Sequence, residues 1–177
     1  NIVMQNYIIK KTADGSSTIY LPEIDEQYHS LNGAITESQY VFVENGYLFE
    51  QSKRPVVFEI GFGTGLTCLL TALHAEKFKR PTLFYSTEKY PLSEETVEEL
   101  DYGTLFSDDA TKWFSAIHRA PWGEIIKIST FFSLCKVKTD ITKQTALPCP
   151  ACNIIYFDAF APDKQPEMWQ PQLFRKL

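Results

Sequence analysis

The sequence lacks the features that mark membrane-spanning, fibrous and disulfide-stabilised proteins. No stretch approaches the roughly 18–20 consecutive apolar residues of a membrane span, and no basic segment followed by an apolar one opens the chain. Internal repeats and low-complexity tracts are absent as well. Four cysteines in 177 residues are too few for a disulfide framework. We therefore expect a soluble, cytoplasmic protein that has no contact with a membrane.

Metal ligands and positive charge are also scarce. Cys149 and Cys152 form a lone Cys-x-x-Cys pair, whereas His29, His74 and His118 are far apart in the sequence. A zinc site needs a second cysteine pair or nearby histidines, so we expect packing roles for the pair and no metal. The formal net charge of −5 does not attract a polyanion. Nucleic-acid binding would need a local basic face or a partner.

The first part of the chain, to about residue 51, is predicted to be β-rich. Ser17–Leu21 has the composition of a strand. Tyr40–Val43 and Tyr47–Glu50 flank Asn45-Gly46, which is typical of a hairpin turn. Part of the polar segment between these elements fits a short helix. We predict an N-terminal β-hairpin extension over the cleft for residues 1–54.

From Pro55 onward, strand and helix patterns alternate, which predicts a parallel sheet with crossover helices. This pattern indicates a Rossmann-like α/β core over residues 55–177. Such a sheet usually continues with another helix and further strands, so we expect the fold to be incomplete at the C-terminus. The predicted strands are Val56–Ile60, Thr82–Thr87, Ile125–Thr130, Phe132–Lys138 and Asn153–Phe157; helices are predicted at Leu66–Phe78 and Ser107–His118, and from Ser93 and Pro171.

A glycine-rich turn after the first core strand predicts a nucleoside-binding site. Gly61, Gly63 and Gly65 alternate with other residues just before a helical pattern. Dinucleotide sites instead have the pattern G-x-G-x-x-G around a pyrophosphate. Glu59 precedes the glycines, and a carboxylate there would repel phosphate but suit a cation. The pattern therefore favours S-adenosylmethionine, which has a sulfonium group and no phosphate, over a nicotinamide dinucleotide.

Three acids follow predicted strands, where open α/β sheets bind ligands. Glu88 lies where such folds bind ribose hydroxyls, and Asp140 is a candidate acceptor for an adenine amino group, with Ile141 packing on the ring. Asp158 begins the string Asp-Ala-Phe-Ala-Pro, which is similar to the acidic loops of amino-group methyltransferases. A carboxylate there can orient an amine, while Phe160 stacks on a base or covers the cleft. Each acid also has an ordinary alternative role as a solvated or capping residue.

Together, these motifs resemble the methyltransferase domain of the bifunctional tRNA 5-methylaminomethyl-2-thiouridine biosynthesis proteins and its stand-alone relatives. The resemblance covers most of the chain from about Tyr28. Thr67 stands where asparagine is common in the bifunctional proteins, and Ala159 where glycine is common. The matching strings are Glu59–Leu66, Glu88–Leu92, Asp158–Pro162 and Pro166-x-Met168-Trp169, with weaker matches at Tyr28–Ser30, Glu37-Ser38 and Tyr40–Phe42.

The resemblance implies a class I methyltransferase sheet and methylation, by S-adenosylmethionine, of the aminomethyl nitrogen on a modified wobble uridine in tRNA. It implies Asp158 as the catalytic residue. It also implies that no FAD is bound to this chain, because the flavin-dependent oxidase domain is not in it; that enzyme would be a separate protein of the same pathway. The implied donor-binding residues are Glu59, Gly61, Phe62, Gly63, Thr64, Gly65, Glu88, Lys89, Asp140, Ile141 and Asp158, and the implied acceptor-binding residues are His29, Glu37 and Phe160.

Other functions remain open on the sequence alone. A methyltransferase or aminopropyltransferase acting on a small amine would use the same acid and would suit the acidic composition. A non-catalytic domain that binds S-adenosylmethionine or RNA within a larger assembly is a second alternative. A nicotinamide-dependent enzyme is a third, disfavoured by Glu59 and by the missing third glycine of the dinucleotide pattern.

Overall fold

The computed structural model describes residues 7–177, which form two sheets flanked by helices. The smaller sheet is antiparallel with the order β1-β2-β3. Its strands are β1 (Ile8–Lys11), β2 (Ser17–Leu21) and β3 (Glu26–Gln27). The expected strand at Ser17–Leu21 is confirmed. Ile19 and Leu21 of this strand are buried, which ties the small sheet to the main core.

The main sheet has five strands in the order β6-β7-β5-β4-β8. All neighbours are parallel except β6 and β7, and the predicted α/β sheet is therefore confirmed. The first strand of this sheet along the chain is β4, which lies in the interior of the sheet. β5 and β8 pair with β4 on opposite sides, and this arrangement creates a topological switch point. The strands are β4 (Val56–Ile60), β5 (Thr82–Glu88), β6 (Ile125–Lys127), β7 (Phe132–Lys138) and β8 (Ile154–Phe157).

Two of the helices start at serine caps that the sequence shows. The Ser93 side chain accepts a hydrogen bond from the Thr96 amide, and Ser107 accepts one from Ala110 in the same way. In the part of the chain that the structure describes, no helix is both long and apolar enough to cross a membrane. The helices are α1 (Ala34–Ser38), α2 (Leu66–Lys77), α3 (Glu94–Leu100), α4 (Asp108–Arg119) and α5 (Pro171–Phe174), with 3-10 turns at Tyr102–Leu105, Ile141–Lys143 and Pro166–Trp169.

The hairpin predicted around Asn45-Gly46 is wrong, because α1 runs directly into a π-helix at Gln39–Tyr47. Val43 and Tyr47 are fully buried, so the apolar residues are spaced for one face of a helix rather than for a pleated strand. The Asn45 side chain donates to the Tyr40 carbonyl at 2.7 Å and is engaged within the helix.

Gly46 serves close packing and not a turn between strands. A Cβ atom on Gly46 would lie 3.0 Å from the Tyr156 ring of β8, so a larger residue would push this helix off the sheet. At the end of the helix, the Tyr47 hydroxyl pairs with the Thr82 hydroxyl of β5 at 2.7 Å. Tertiary packing on the main sheet has therefore overridden the local turn signal of Asn-Gly.

Arg80, just before β5, fixes the segment that follows the π-helix. Its guanidinium donates to the carbonyl oxygens of Tyr47, Glu50 and Ser52 at 2.6–2.9 Å. The group also lies 4.7 Å from the centre of the Tyr47 ring. The planar Arg80 guanidinium thus supplies donors to three carbonyl groups. These hydrogen bonds replace the regular backbone hydrogen bonds that this irregular segment lacks.

We predict that Arg80→Ala lowers the free energy of unfolding by about 3 kcal/mol, because three carbonyl groups lose a charged donor. Chemical denaturation monitored by circular dichroism measures this. Lys112→Ala is the matched control, since within residues 7–177 the one ion pair of Lys112 is the exposed pair with Asp109, and it should change stability by less than about 0.5 kcal/mol. Equal stability of the two variants would contradict the role of Arg80.

Candidate active site

A cleft of about 780 Å³ lies at the carboxyl ends of the parallel strands. Its floor includes Ile60 of β4 and Thr87 of β5, while Tyr28 and Phe42 of the N-terminal segment form part of the wall. A cavity of this size suits a nucleoside-sized ligand together with part of a second one. Its position at the switch point between β5 and β8 is where sheets of this class bind ligands.

The glycine turn and Asp158 meet at the centre of this cleft. The Asp158 amide donates to the Ile60 carbonyl at 3.1 Å, which continues the pairing of β8 with β4. A Cβ atom on Gly61 would lie only 2.6 Å from the Asp158 carbonyl oxygen, and Gly61 has a φ of 95°. Glycine is required at this position both by the backbone angle and by the space.

Glu88 connects the glycine turn to the end of β5. Its carboxylate accepts hydrogen bonds from the Gly63 amide at 3.0 Å and from the Tyr90 amide at 2.8 Å. Gly61, Gly63 and Glu88 all line the cleft. The structure thus places Glu88 beside the glycine turn, at the strand end where the sequence predicts it. Its role toward ribose stays a prediction.

Asp140 and Ile141 lie next to Glu88 along the same edge of the sheet. Asp140 forms an ion pair with Lys89 at 3.0 Å and accepts a hydrogen bond from the Thr142 amide at 3.1 Å, which fixes the 3-10 turn. Burial opposes ionisation, but the bonds from Thr142 and Lys89 outweigh it and lower the pKa of Asp140. Ile141 is buried and offers an apolar surface to the cleft.

Asp158 differs electrostatically from the other acids of the cleft. Burial, together with the nearby carboxylates of Glu37 and Glu88, raises the pKa of its carboxyl to about 7. The Ser30 amide donates to Glu37 at 2.7 Å and holds that side chain in the cleft wall. An acid with this pKa exchanges a proton readily near neutral pH.

The predicted acceptor residues lie in one wall of the cleft, and the structure adds a partner for them. His29, Glu37 and Phe160 all contribute to the lining. Tyr28 packs edge-to-face on Phe160, with ring centres 5.5 Å apart, and the Trp169 indole donates to the Phe160 carbonyl at 2.8 Å. The only sequence signal for Tyr28 is its place in one of the weaker matching strings.

Four of the predicted donor-binding residues are not part of the cleft lining. They are Glu59, Phe62, Thr64 and Gly65. Glu59 is fully buried, accepts a hydrogen bond from the Ser86 hydroxyl, and has a pKa raised well above its usual range by burial. Burial opposes ionisation of Glu59, and its expected pairing with a positively charged donor stays a prediction.

The cysteine pair lies away from the chemistry of the cleft. Cys149 and Cys152 are free, half-buried thiols that pack against the small apolar cluster around Phe58 and Ile141. Within residues 7–177, no three histidine, cysteine, aspartate or glutamate side chains are grouped closely enough to hold a metal ion.

Comparison with known proteins links this geometry to a family. Residues 118–177 match the family described as S-adenosyl-L-methionine-dependent methyltransferase. The tRNA 5-methylaminomethyl-2-thiouridine biosynthesis bifunctional protein MnmC of Pseudoalteromonas atlantica is 33% identical over 96% of this chain and 26% of its own length. The protein of the same name from Pseudomonas fluorescens is 33% identical over 86% of this chain and 25% of its own length.

A solved structure extends the likeness to three dimensions. MnmC2 from Aquifex aeolicus superposes with a TM-score of 0.74 and 26% identity, over 99% of this chain and 57% of that chain. Over most of its length the chain is thus similar to MnmC proteins in both sequence and fold. It spans about a quarter of the length of the curated MnmC relatives it matches. The resemblance that the glycine and aspartate motifs indicate is therefore confirmed at the level of family and fold.

We predict that Gly61→Ala abolishes ligand binding in the cleft and destabilises the protein. The added Cβ must displace the Asp158 carbonyl, which adds about 2 kcal/mol or more to the backbone strain. Gly123→Ala is the control, because Gly123 has a similar φ of 86° but no atom within 4 Å of its Cβ position. Thermal unfolding of both variants measures the difference, and equal losses would contradict the contact.

Proposed function

We propose that this chain is an S-adenosylmethionine-dependent N-methyltransferase acting on the aminomethyl group of a modified wobble uridine in tRNA. The observation that carries the proposal is the contact between Gly61 and Asp158 within one cleft. A donor lying along the glycine turn would be next to the acid that receives the amine. The methyltransferase family matched by residues 118–177 and the names of the MnmC relatives support the same reaction.

The chain's own residues fit this donor. Six carboxylates and two lysines line the cleft, so its field favours a cation and disfavours a phosphate group. We propose that Gly61 and Gly63 receive the amino-acid end, Glu88 the ribose, and Asp140 with Ile141 the adenine. Lys89 keeps Asp140 ionised and oriented. When bound, the donor supplies a methyl group on a positively charged sulfur.

Asp158 is the proposed catalytic residue. An amine must be neutral to attack a methyl group, and it carries an extra proton once the bond has formed. The Asp158 carboxylate accepts an N–H hydrogen bond, directs the nitrogen toward the glycine turn, and takes up that proton. Its pKa of about 7 suits this exchange at neutral pH. The rest of catalysis is positioning and exclusion of water by the cleft walls.

The base of the acceptor is proposed to lie against the aromatic wall. Proteins hold an unstacked base on aromatic side chains, and Phe160 is fixed by both Tyr28 and the Trp169 indole. His29 and Glu37 lie in the same wall. In this arrangement, residues 7–54 form an acceptor-side extension and residues 55–177 the donor-binding core; residues 1–6 of the predicted extension lie outside the described residues. A flavin-dependent oxidase of the same pathway would be a separate partner.

We predict that kcat rises with pH through an apparent pKa near 7, because only the ionised form of Asp158 accepts a proton. Asp158→Asn removes this inflection and lowers kcat by roughly 10²–10⁴-fold. Asp163→Asn is the control, since Asp163 is exposed five residues further along, and it keeps both the rate and the profile. An unchanged inflection in Asp158→Asn would remove Asp158 from the reaction.

The function is tested by transfer of labelled methyl groups. Bulk tRNA carrying the unmethylated aminomethyl modification should accept label, and tRNA without the modification should not. Polyamines are the competing substrates, and their methylation in place of tRNA would favour a small-amine transferase. Donor binding by calorimetry without transfer to any acceptor would favour a non-catalytic binding domain.

A further inference from the structure

Lys136 of β7 is a buried ammonium group outside the cleft. Its side chain is only 1% exposed, and its Nζ donates to the His118 carbonyl at the end of α4 at 2.6 Å. The Nζ lies 4.7 Å from the Trp122 ring centre and 5.3 Å from that of Phe62. None of the ion pairs formed within residues 7–177 includes it. The carbonyl and the two rings therefore hold this charge without a carboxylate.

His118 connects Lys136 to the glycine turn. Its Nε2 lies 3.1 Å from the Thr64 carbonyl, so this nitrogen carries the proton and donates it. Its ring packs edge-to-face on Phe62 at 5.3 Å. A Cβ atom on Gly65 would lie 2.7 Å from the same nitrogen, which shows how closely the ring abuts the turn. Burial lowers the pKa of His118 to about 4, so the ring is neutral in ordinary conditions.

Thr64 is held from the other side by the N-terminal segment. Its hydroxyl pairs with His29 Nε2 at 2.8 Å, and the side chain is buried. β2 holds His29 in turn, because the His29 amide donates a hydrogen bond to the Thr18 hydroxyl at 2.9 Å. The glycine turn thus lies between α4 on one side and the small sheet on the other.

We propose that Lys136 and His118 are positioning residues that hold the glycine turn, through Thr64, in its ligand-receiving shape. A turn with three glycines has a large conformational entropy when it is free, so fixing it in advance favours binding. Lys136 binds His118, and His118 contacts the turn at Phe62 and Thr64, while neither residue is part of the cleft lining. Only the identity of the ligand rests on the proposed function; the fixed turn is a property of the free protein.

The buried charge itself argues for this role. Burying an ammonium group is costly, and a methionine would fill the same space without that cost. If Lys136 served packing alone, its replacement by methionine would therefore stabilise the protein. If Lys136 orients the His118 carbonyl, and with it the end of α4, the replacement would not stabilise the protein. The variant Lys136→Met separates the two roles because it keeps the stem and removes only the donor and the charge.

The first test measures amide hydrogen exchange in the free protein by NMR. The Gly65 amide donates to the Phe62 carbonyl within the turn, so its exchange reports opening of the turn. In Lys136→Met and His118→Leu we expect Gly65 to exchange roughly tenfold faster, as loss of one good hydrogen bond allows. The core variant Ile117→Val, on the same helix, should leave the exchange rate of the Gly65 amide unchanged once the change in global stability is taken into account. Unchanged Gly65 exchange in both test variants would overturn the inference.

The second test measures S-adenosylmethionine affinity by calorimetry. Both test variants should bind roughly tenfold more weakly, while kcat at saturating donor stays within about twofold. His118→Gln, whose amide can donate to the Thr64 carbonyl, should restore most of the affinity that His118→Leu loses. Equal affinity of His118→Leu and the wild type would overturn the inference. A wild type that binds no donor, yet has a protected Gly65 amide, would instead overturn the proposed function alone.

Discussion

The pairing of β8 with β4 is the interaction on which the site depends. It aligns Ile60 with Phe157, so the glycine turn and Asp158 leave the sheet side by side. The Asp158 amide then extends the ladder by one hydrogen bond, and its carbonyl fills the space that a side chain at Gly61 would need. A shift of one residue between the two strands would turn Asp158 toward the opposite face of the sheet and separate it from the turn.

Burial gives similar acids in this region different roles. Glu59 lies one position before the end of β4 and faces the core, where burial raises the pKa of its carboxyl well above the usual range. Asp140 lies where Lys89 and Thr142 can stabilise its charge. The pKa of Asp158 is raised to about 7 by burial and by the negative charges of Glu37 and Glu88. The position of each acid relative to the sheet, and not its residue type, determines the direction in which its pKa shifts.

The sequence predicts the main sheet well because buried parallel strands are short apolar runs with turn residues at both ends. Val56–Ile60 and Thr82–Glu88 show this pattern, and serine caps indicate two of the helices. Prediction is poorer where the outcome depends on distant partners. Asn45-Gly46 looks like a turn in isolation, yet the Tyr156 ring packs on Gly46 and holds a helix there. The inward orientation of Glu59 likewise depends on Ser86 of a neighbouring strand.

The adjacent residues Tyr28 and His29 contact two different parts of the site. Tyr28 packs on Phe160 of the cleft lining, while His29 pairs with Thr64 of the glycine turn. Because the two residues are neighbours in the chain, a displacement of Tyr28 away from Phe160 would also pull on the hydrogen bond between His29 and Thr64. One short stretch of backbone therefore supports both the aromatic contact and the glycine turn.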